Sequence, residues 1–330
     1  RLKLVEAAVE DLLVEDGKVA GVRVATGDCL RSTAVVLTTG TFLKGTILIG
    51  RERIPAGRMA STPTPPGDSP HSCKQRDAAY EGAATALAGT LERLGLPMGR
   101  LKTGTPPRLD GKTIDLSRDG LEPQPSEARP VFFSHAHALV AAPLAPALVT
   151  CVRTQTNAQT HALVREHAHL LPEYDGAGGS GVGPRYCPSI SAKVERFPQR
   201  SSHGVWLEPE GLTSSLVYPN GLSAAFPPHV QQLIVQSIPA LEHAVILQPA
   251  YDVEYDFIDP RAVSATLELR ALPGLFLAGQ ILGTTGYEEA AALGLLAGAN
   301  AAMLTQRAPP LILKRSEAYA GVLVDDLVSR

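Results

Sequence analysis

The stretch at residues 274–303, GLFLAGQILGTTGYEEAAALGLLAGANAAM, constrains this chain more than any other. It opens with the short apolar run Leu275-Phe276-Leu277-Ala278, which has the length and composition of a buried strand. A loop rich in glycine and threonine follows, made of Gly279, Gln280, Gly283, Thr284, Thr285 and Gly286. Glu288 and Glu289 then mark the first turn of a helix built almost entirely from Ala, Gly and Leu. A glycine inside a helix costs about 1 kcal/mol relative to alanine. Gly294 and Gly298 therefore predict a close approach of this helix to a strand or a flat ligand. Strand, glycine turn and helix N-terminus together form a site for electron-rich ligand atoms, or else an ordinary buried βα unit.

The 330 residues are enough for two domains, and a chain 44% hydrophobic and 19% charged can bury a core. No apolar run reaches the ~18 residues of a membrane span. The net charge of −3 gives no global signature for nucleic acid, so any RNA contact needs a local patch. Cys29, Cys73, Cys151 and Cys187 are widely separated, which indicates neither a metal set nor a redox pair and fits a reducing compartment. The chain starts at Arg1 in strand-like sequence and stops at Arg330 within a helical pattern, as an internal piece of a longer protein does.

Residues 9–14 and 19–24 flank Asp16-Gly17, whose positive-φ preference predicts a hairpin, and residues 34–38 predict a third strand running into Gly40. Residues 60–82 contain a low-complexity insert rich in Pro and Ser. A helix is predicted from about residue 83 to 94. Residues 99–108, with Arg100, Lys102, Pro106, Pro107 and Arg108, read as a rigid basic loop suited to phosphate or carboxylate. Strands are predicted at 130–133 and 148–152, and a helix at 160–169 with His161, His167 and His169 as surface residues. Residues 176–181 match GxGxxG formally but lack the flanking strand and helix, so they read as a hinge. Beyond it, Cys187 sits near Arg185, Lys193 and a helix start at Ser189, a setting that lowers a thiol pKa; a buried inert cysteine is the competing reading. An amphipathic helix is predicted over 228–242 with Val230, Leu233, Ile234, Ile238 and Leu241 on one face. The acidic, aromatic run YDVEYDFIDPR at 251–261 leads back to the glycine stretch.

Several long segments, in order, carry a resemblance. GRLKTGTPPR (99–108), GPRYCPSI (183–190), EPEGLTS (208–214), YPNGLS (218–223), EYDFIDPR (254–261), GQILGTTGYEEAAALGLLAG (279–298) and GVLVDDL (321–327) resemble the MnmG/GidA family. The resemblance implies an α/β FAD/NAD(P)-binding domain of the glutathione-reductase-like class with an inserted mixed, mainly β domain. It implies an FAD-dependent enzyme that modifies C5 of the tRNA wobble uridine with an MnmE-type GTPase partner. Methylenetetrahydrofolate would supply the carbon, glycine or taurine the amine, and NADH the reducing equivalents; the full-length protein would be a homodimer. The family's FAD contacts fall on Val9 and Gln280, within a cofactor loop set of Gly40, Gly279, Gly283, Thr284, Thr285, Gly286 and Glu288. Its NAD-associated segment falls on residues 183–197, with Gly183, Pro184, Arg185, Tyr186, Pro188, Ser189, Lys193 and Phe197. Its cysteine falls on Cys187, whose thiolate would add to C6 of uracil. Arg100, Lys102 and Arg108 are candidate substrate contacts, and no metal site is implied.

The family's N-terminal Rossmann unit and C-terminal helical domain are expected to lie outside this chain. Residues 1–50 and 249–305 are read as two parts of the FAD domain, 51–95 as a connector, 96–248 as the inserted domain and 306–330 as a linker into the helical domain. Leu282 and Leu293 stand where the family pattern has Asn and Gln, Gln155 where it has His, and Ala84 near its FAD-touching serine. A mitochondrial location is expected, with bacterial cytoplasm as the alternative. A flavin disulfide reductase would need a paired cysteine motif that is absent. The remaining alternative is a catalytically inactive fragment acting as a binding module.

Overall fold

The computed structural model describes residues 2–60, 80–125, 149–175, 181–183 and 189–330. Strands Val9–Glu15 and Lys18–Val24 form the predicted hairpin, with Asp16 at φ 50° and Gly17 at φ 72° in its turn. A further strand, Cys29–Arg31, pairs with Lys18–Val24 and completes a three-stranded antiparallel sheet. Helix Thr85–Arg93 packs beside the hairpin, and Thr90 Oγ1 donates to Asp11 Oδ1 at 2.5 Å.

Strand Val35–Leu37 runs parallel to Leu275–Leu277, pairing Val35 with Leu275 and Leu37 with Leu277. Parallel pairing sends both chains out at the same end, so the loops after Leu37 and Leu277 emerge side by side. Around this pair lies an apolar core that includes Leu43, Leu91, Ile258, Phe276, Ile281 and Leu293. The departures from the family pattern at Leu282 and Leu293 are both fully enclosed in it, which is how an apolar side chain is tolerated at each.

A four-stranded sheet has the order Glu52–Ile54, Thr46–Ile49, Tyr251–Ile258, Met98–Thr105. The basic segment expected as a proline-stiffened loop is therefore mostly strand. Eight residues pair, from Met98 opposite Ile258 to Thr105 opposite Tyr251; Pro106 and Pro107, which lack amide donors, lie beyond the ladder, and Arg108 opens a strand of the next sheet. A six-stranded antiparallel sheet has the order Glu122–Pro123, Val152–Gln155, Gly204–Pro209, Leu216–Asn220, Arg108–Asp110, Ile246–Gln248. Helices Ala158–Glu166, Ile190–Arg196 and Pro228–Gln236 cover it and share its core, which includes Leu109, Val164, Val194, Phe226 and Ile234.

Two helical expectations change. The predicted 228–242 helix ends at Gln236, ahead of Pro239, whose ring disfavours helix at and before it; Leu233 is 47% exposed rather than on the buried face. Asn157 starts the earlier helix with a capping box, and this phase turns Thr160, His161 and Val164 inward. His161 is thus 3% exposed, not a surface residue, whereas His169 is exposed. The predicted strand at 130–133, Leu148, most of the 60–82 insert and residues 176–180 of the hinge lie outside the described residues. No helix among the described residues is long and apolar enough to cross a membrane.

Candidate functional site

The parallel pair organises the first part of the site. Leu37 leads into Thr38, Thr39 and Gly40, and Gly40 has a left-handed φ of 56°. Leu277 leads into a 3-10 turn, Gly279–Leu282, followed by Gly283 at φ 75° and Gly286 at φ 130°. Helix Tyr287–Gln306 starts at Gly286 without a side-chain cap, and the Glu289 carboxylate folds back over Gly286. Gly40, Gly279, Gln280, Gly283, Thr284, Thr285, Gly286 and Glu288 are thus brought to the ends of two adjacent strands. Val9 opens the antiparallel hairpin, opposite Val24.

Buried polar atoms in folded proteins nearly always have partners, so orphans mark a place where a ligand or water belongs. Thr39 Oγ1, Thr284 Oγ1 and Tyr255 Oη are buried without a hydrogen-bond partner, and all three come from or face these two loops. Gln280 Oε1 lies 3.7 Å from where a Cβ on Gly40 would stand, so glycine leaves room there. Apolar walls come from Phe257 and Leu101, 3.4 and 3.6 Å from the corresponding point on Gly283. Hydroxyls, a carboxamide and glycine-lined backbone between apolar walls fit a flat, polar heterocycle. Thr39 and Tyr255 have no local sequence signature, and only the assembled loops reveal them.

Gly294 and Gly298, expected to allow a close approach, meet nothing within 4 Å of an added Cβ among the described residues. Tyr287 and Leu295 on the same helix are 92% and 74% exposed, while Leu293, Leu296, Ala297 and Asn300 face the core.

A second part is a cavity of about 690 Å³ between the four-stranded sheet and the helices of the six-stranded layer. Lys102, Tyr174, Gly181 and Gly183 line one side, and Arg165, Ser189 and Arg196 the other. Ser189 caps helix Ile190–Arg196 by accepting from the Ala192 amide at 3.2 Å. Lys193 turns away to donate to the Gly221 carbonyl at 3.1 Å, and Phe197 packs 6.5 Å from the His203 ring. Pro184, Arg185, Tyr186, Cys187 and Pro188 lie outside the described residues.

The candidate substrate cations are engaged within the chain. Arg100 donates to Asp256 at 2.8 Å, Lys102 to Asp252 at 3.0 Å, and Arg108 to Glu210 while its guanidinium lies 4.5 Å over the Tyr218 ring. Their partners were not anticipated. Asp252, Glu254 and Asp256 occupy one face of the central strand and are 2%, 1% and 6% exposed. Burial raises the Asp256 pKa, and the Arg100 guanidinium opposes that rise. The Tyr174 hydroxyl donates to Asp252 at 2.5 Å, and burial followed by that carboxylate raises its pKa well above the usual phenol range. The signal for this ladder was the period-2 alternation of acids in YDVEYDFI against Arg100 and Lys102.

Residues 1–309 match the family model described as "Glucose inhibited division protein A". The chain is 46% identical over 334 residues to the tRNA uridine 5-carboxymethylaminomethyl modification enzyme MnmG of Granulibacter bethesdensis, covering 99% of this chain and 48% of that protein. Against the MnmG of Syntrophotalea carbinolica the identity is 46% over 328 residues, covering 99% of this chain and 49% of that protein. A solved structure of Aquifex aeolicus GidA superposes with a TM-score of 0.83 at 40% identity, over 98% of this chain and 48% of that one. The chain spans about half the length of the curated relatives it matches.

Proposed function

The chain belongs to the glucose-inhibited division protein A (GidA/MnmG) family, and from that premise we propose that it forms the FAD-holding part of a tRNA-modifying enzyme. Its fold is that family's: a glutathione-reductase-like α/β FAD/NAD(P)-binding domain with an inserted, mainly β domain. The observation that carries the proposal is the pair of orphaned hydroxyls of Thr39 and Thr284 in the loops that leave the parallel pair, with the orphaned hydroxyl of Tyr255 in the strand beneath them. In this reading Gly40, Gly279, Gln280, Gly283, Thr284, Thr285, Gly286 and Glu288 hold FAD, with Thr39 added to them. Bound there, FAD would supply hydride- and electron-transfer chemistry. The chain's own residues bind it, orient it through hydroxyl and carboxamide contacts, and exclude water with Phe257 and Leu101.

The cavity beside Tyr174 and Ser189 is the proposed place for NADH, supported by its size and by Arg165 and Arg196 in its wall. Substrate would be the uridine of tRNA, as the relatives' name states for them, with Cys187 as the proposed nucleophile toward C6 of the base. An MnmE-type GTPase, methylenetetrahydrofolate and homodimer formation complete the proposal for the full-length enzyme. A second reading, a binding module without catalysis, draws on the internal pairing of Arg100, Lys102 and Arg108, which leaves these cations little charge to offer a phosphate backbone.

The test is the visible absorbance of the purified 330-residue chain after incubation with FAD and desalting. Near-stoichiometric flavin bands, bleached by NADH, are the expected result. A colourless protein would remove the claim that this chain holds FAD.

A further inference from the structure

Tyr255 heads the largest fully enclosed side chains of the described residues, at 0% exposed. It stands in the middle of strand Tyr251–Ile258, opposite Leu101, and successive side chains of a strand alternate between its faces. Tyr255 therefore points away from the acids Asp252, Glu254 and Asp256 and shares its face with Val253 and Phe257. Phe257 on that face packs under Gly283 of the glycine turn, which places Tyr255 beneath the same loops.

A buried tyrosine hydroxyl ordinarily has a partner. Here Oη faces the Gln280 carboxamide but falls short of hydrogen-bond geometry. Burial pushes the Tyr255 pKa up to about 12, with Gln280 drawing it slightly the other way, so the hydroxyl keeps its proton at neutral pH. Gln280 is half-buried, and its Oε1 is the carboxamide atom turned toward Gly40. A carboxamide has one accepting and one donating end, and whichever is engaged from below fixes what the other presents above.

We infer that Tyr255 is a positioning residue for Gln280: its Oη takes the Nε2 amide and so keeps Oε1 turned into the cleft between the two glycine loops, on the side of Gly40, to accept from a ring N–H of a bound heterocycle. The inference rests on the reading that these loops hold FAD, and the heterocycle is then the isoalloxazine ring. Phenylalanine fills the same volume without the hydroxyl, so Tyr255→Phe removes the positioning contact and spares the packing.

The experiment measures FAD affinity and the bound-flavin spectrum for the 330-residue chain, Tyr255→Phe, Gln280→Ala and the double variant, together with the melting temperature of each without FAD. Losing one hydrogen bond's net contribution weakens binding about five- to tenfold, the change expected for Tyr255→Phe, with a displaced visible flavin band. Its ligand-free melting temperature should be equal to or above that of the unaltered chain, because without FAD the buried hydroxyl makes no contact of hydrogen-bond geometry that its removal could cost. The double variant should bind FAD no more weakly than Gln280→Ala alone, since Tyr255 acts through Gln280. Unchanged affinity and spectrum in Tyr255→Phe, or losses that multiply in the double variant, overturn the inference while leaving FAD binding intact. Failure of the unaltered chain to bind FAD overturns the reading it rests on, and the inference with it.

Discussion

Gly104 and Asp252 face each other across two paired strands so closely that a Cβ on Gly104 would stand 2.3 Å from Asp252 Oδ1. The carboxylate has nowhere to retreat: its other oxygen already takes the Lys102 ammonium at 3.0 Å and the Tyr174 hydroxyl at 2.5 Å. Gly104→Ala must break one of those contacts or part the strands, and overpacking of this kind costs about 1–3 kcal/mol. Denaturant unfolding of the variant should show a lower midpoint with an unchanged slope. An unaltered midpoint would mean the strands open there at no cost.

Much of the chain could be read before it was folded, and the exceptions share a cause. The hairpin followed from Asp16-Gly17, and the strand–turn–helix of 274–303 from its apolar run and glycines, because both are set by neighbours in sequence. Cys29–Arg31 was missed because all three residues are exposed and show no alternation. Met98–Thr105 looked like a loop because Pro106 and Pro107 follow its threonines, and the acids of Tyr251–Ile258 are what make a half-buried basic strand tolerable. Thr39 and Tyr255 became visible as candidates through what they lack, a partner, and that is a property of the assembled fold.

The His161 and His203 rings lie 5.2 Å apart, 3% and 8% exposed. Thr156 Oγ1 accepts from the His203 backbone amide at 2.8 Å and lies 2.8 Å from His161 Nε2, an arrangement suited to a neutral ring accepting the hydroxyl proton. Burial lowers both pKa values, with Arg165 adding to the effect on His161, and His161, Lys193 and Arg200 adding to that on His203. The unfolded chain takes up protons near the ordinary value of 6.5, while the folded chain resists them. Stability from this pair is therefore complete above about pH 6.5 and is lost as pH falls below it, by up to about 1.4 kcal/mol per pH unit for each imidazole. Denaturant midpoints at pH 7.5 and 5.0 test this, and His161→Gln should flatten the difference.

Asn300 joins the long helix to the segment that follows it. Its Nδ2 donates to the Thr266 and Leu311 carbonyls at 3.2 and 3.0 Å, and its Oδ1 accepts from the Leu311 amide at 2.7 Å. Asn300→Ala leaves those backbone groups unpaired, at a cost of about 1–3 kcal/mol. Limited proteolysis between residues 307 and 318 should accelerate severalfold, while the hairpin at residues 9–24 is cut no faster. Equal acceleration at both places would mean global unfolding instead of local release.

The acids of Tyr251–Ile258 also bear on how such a chain can change over generations. Removing one partner of a buried pair costs about 3–5 kcal/mol, a large share of a domain's stability, whereas replacing both by apolar residues of matching volume is often close to neutral. Asp252 with Lys102, and Asp256 with Arg100, are therefore coupled as inherited units. A lineage that loses either member by a single substitution is left poorly folded, and the passable route is one in which both positions change in near succession. Substitutions at residues 100, 102, 252 and 256 should accordingly track one another among relatives, two by two, as the ladder is ordered in space.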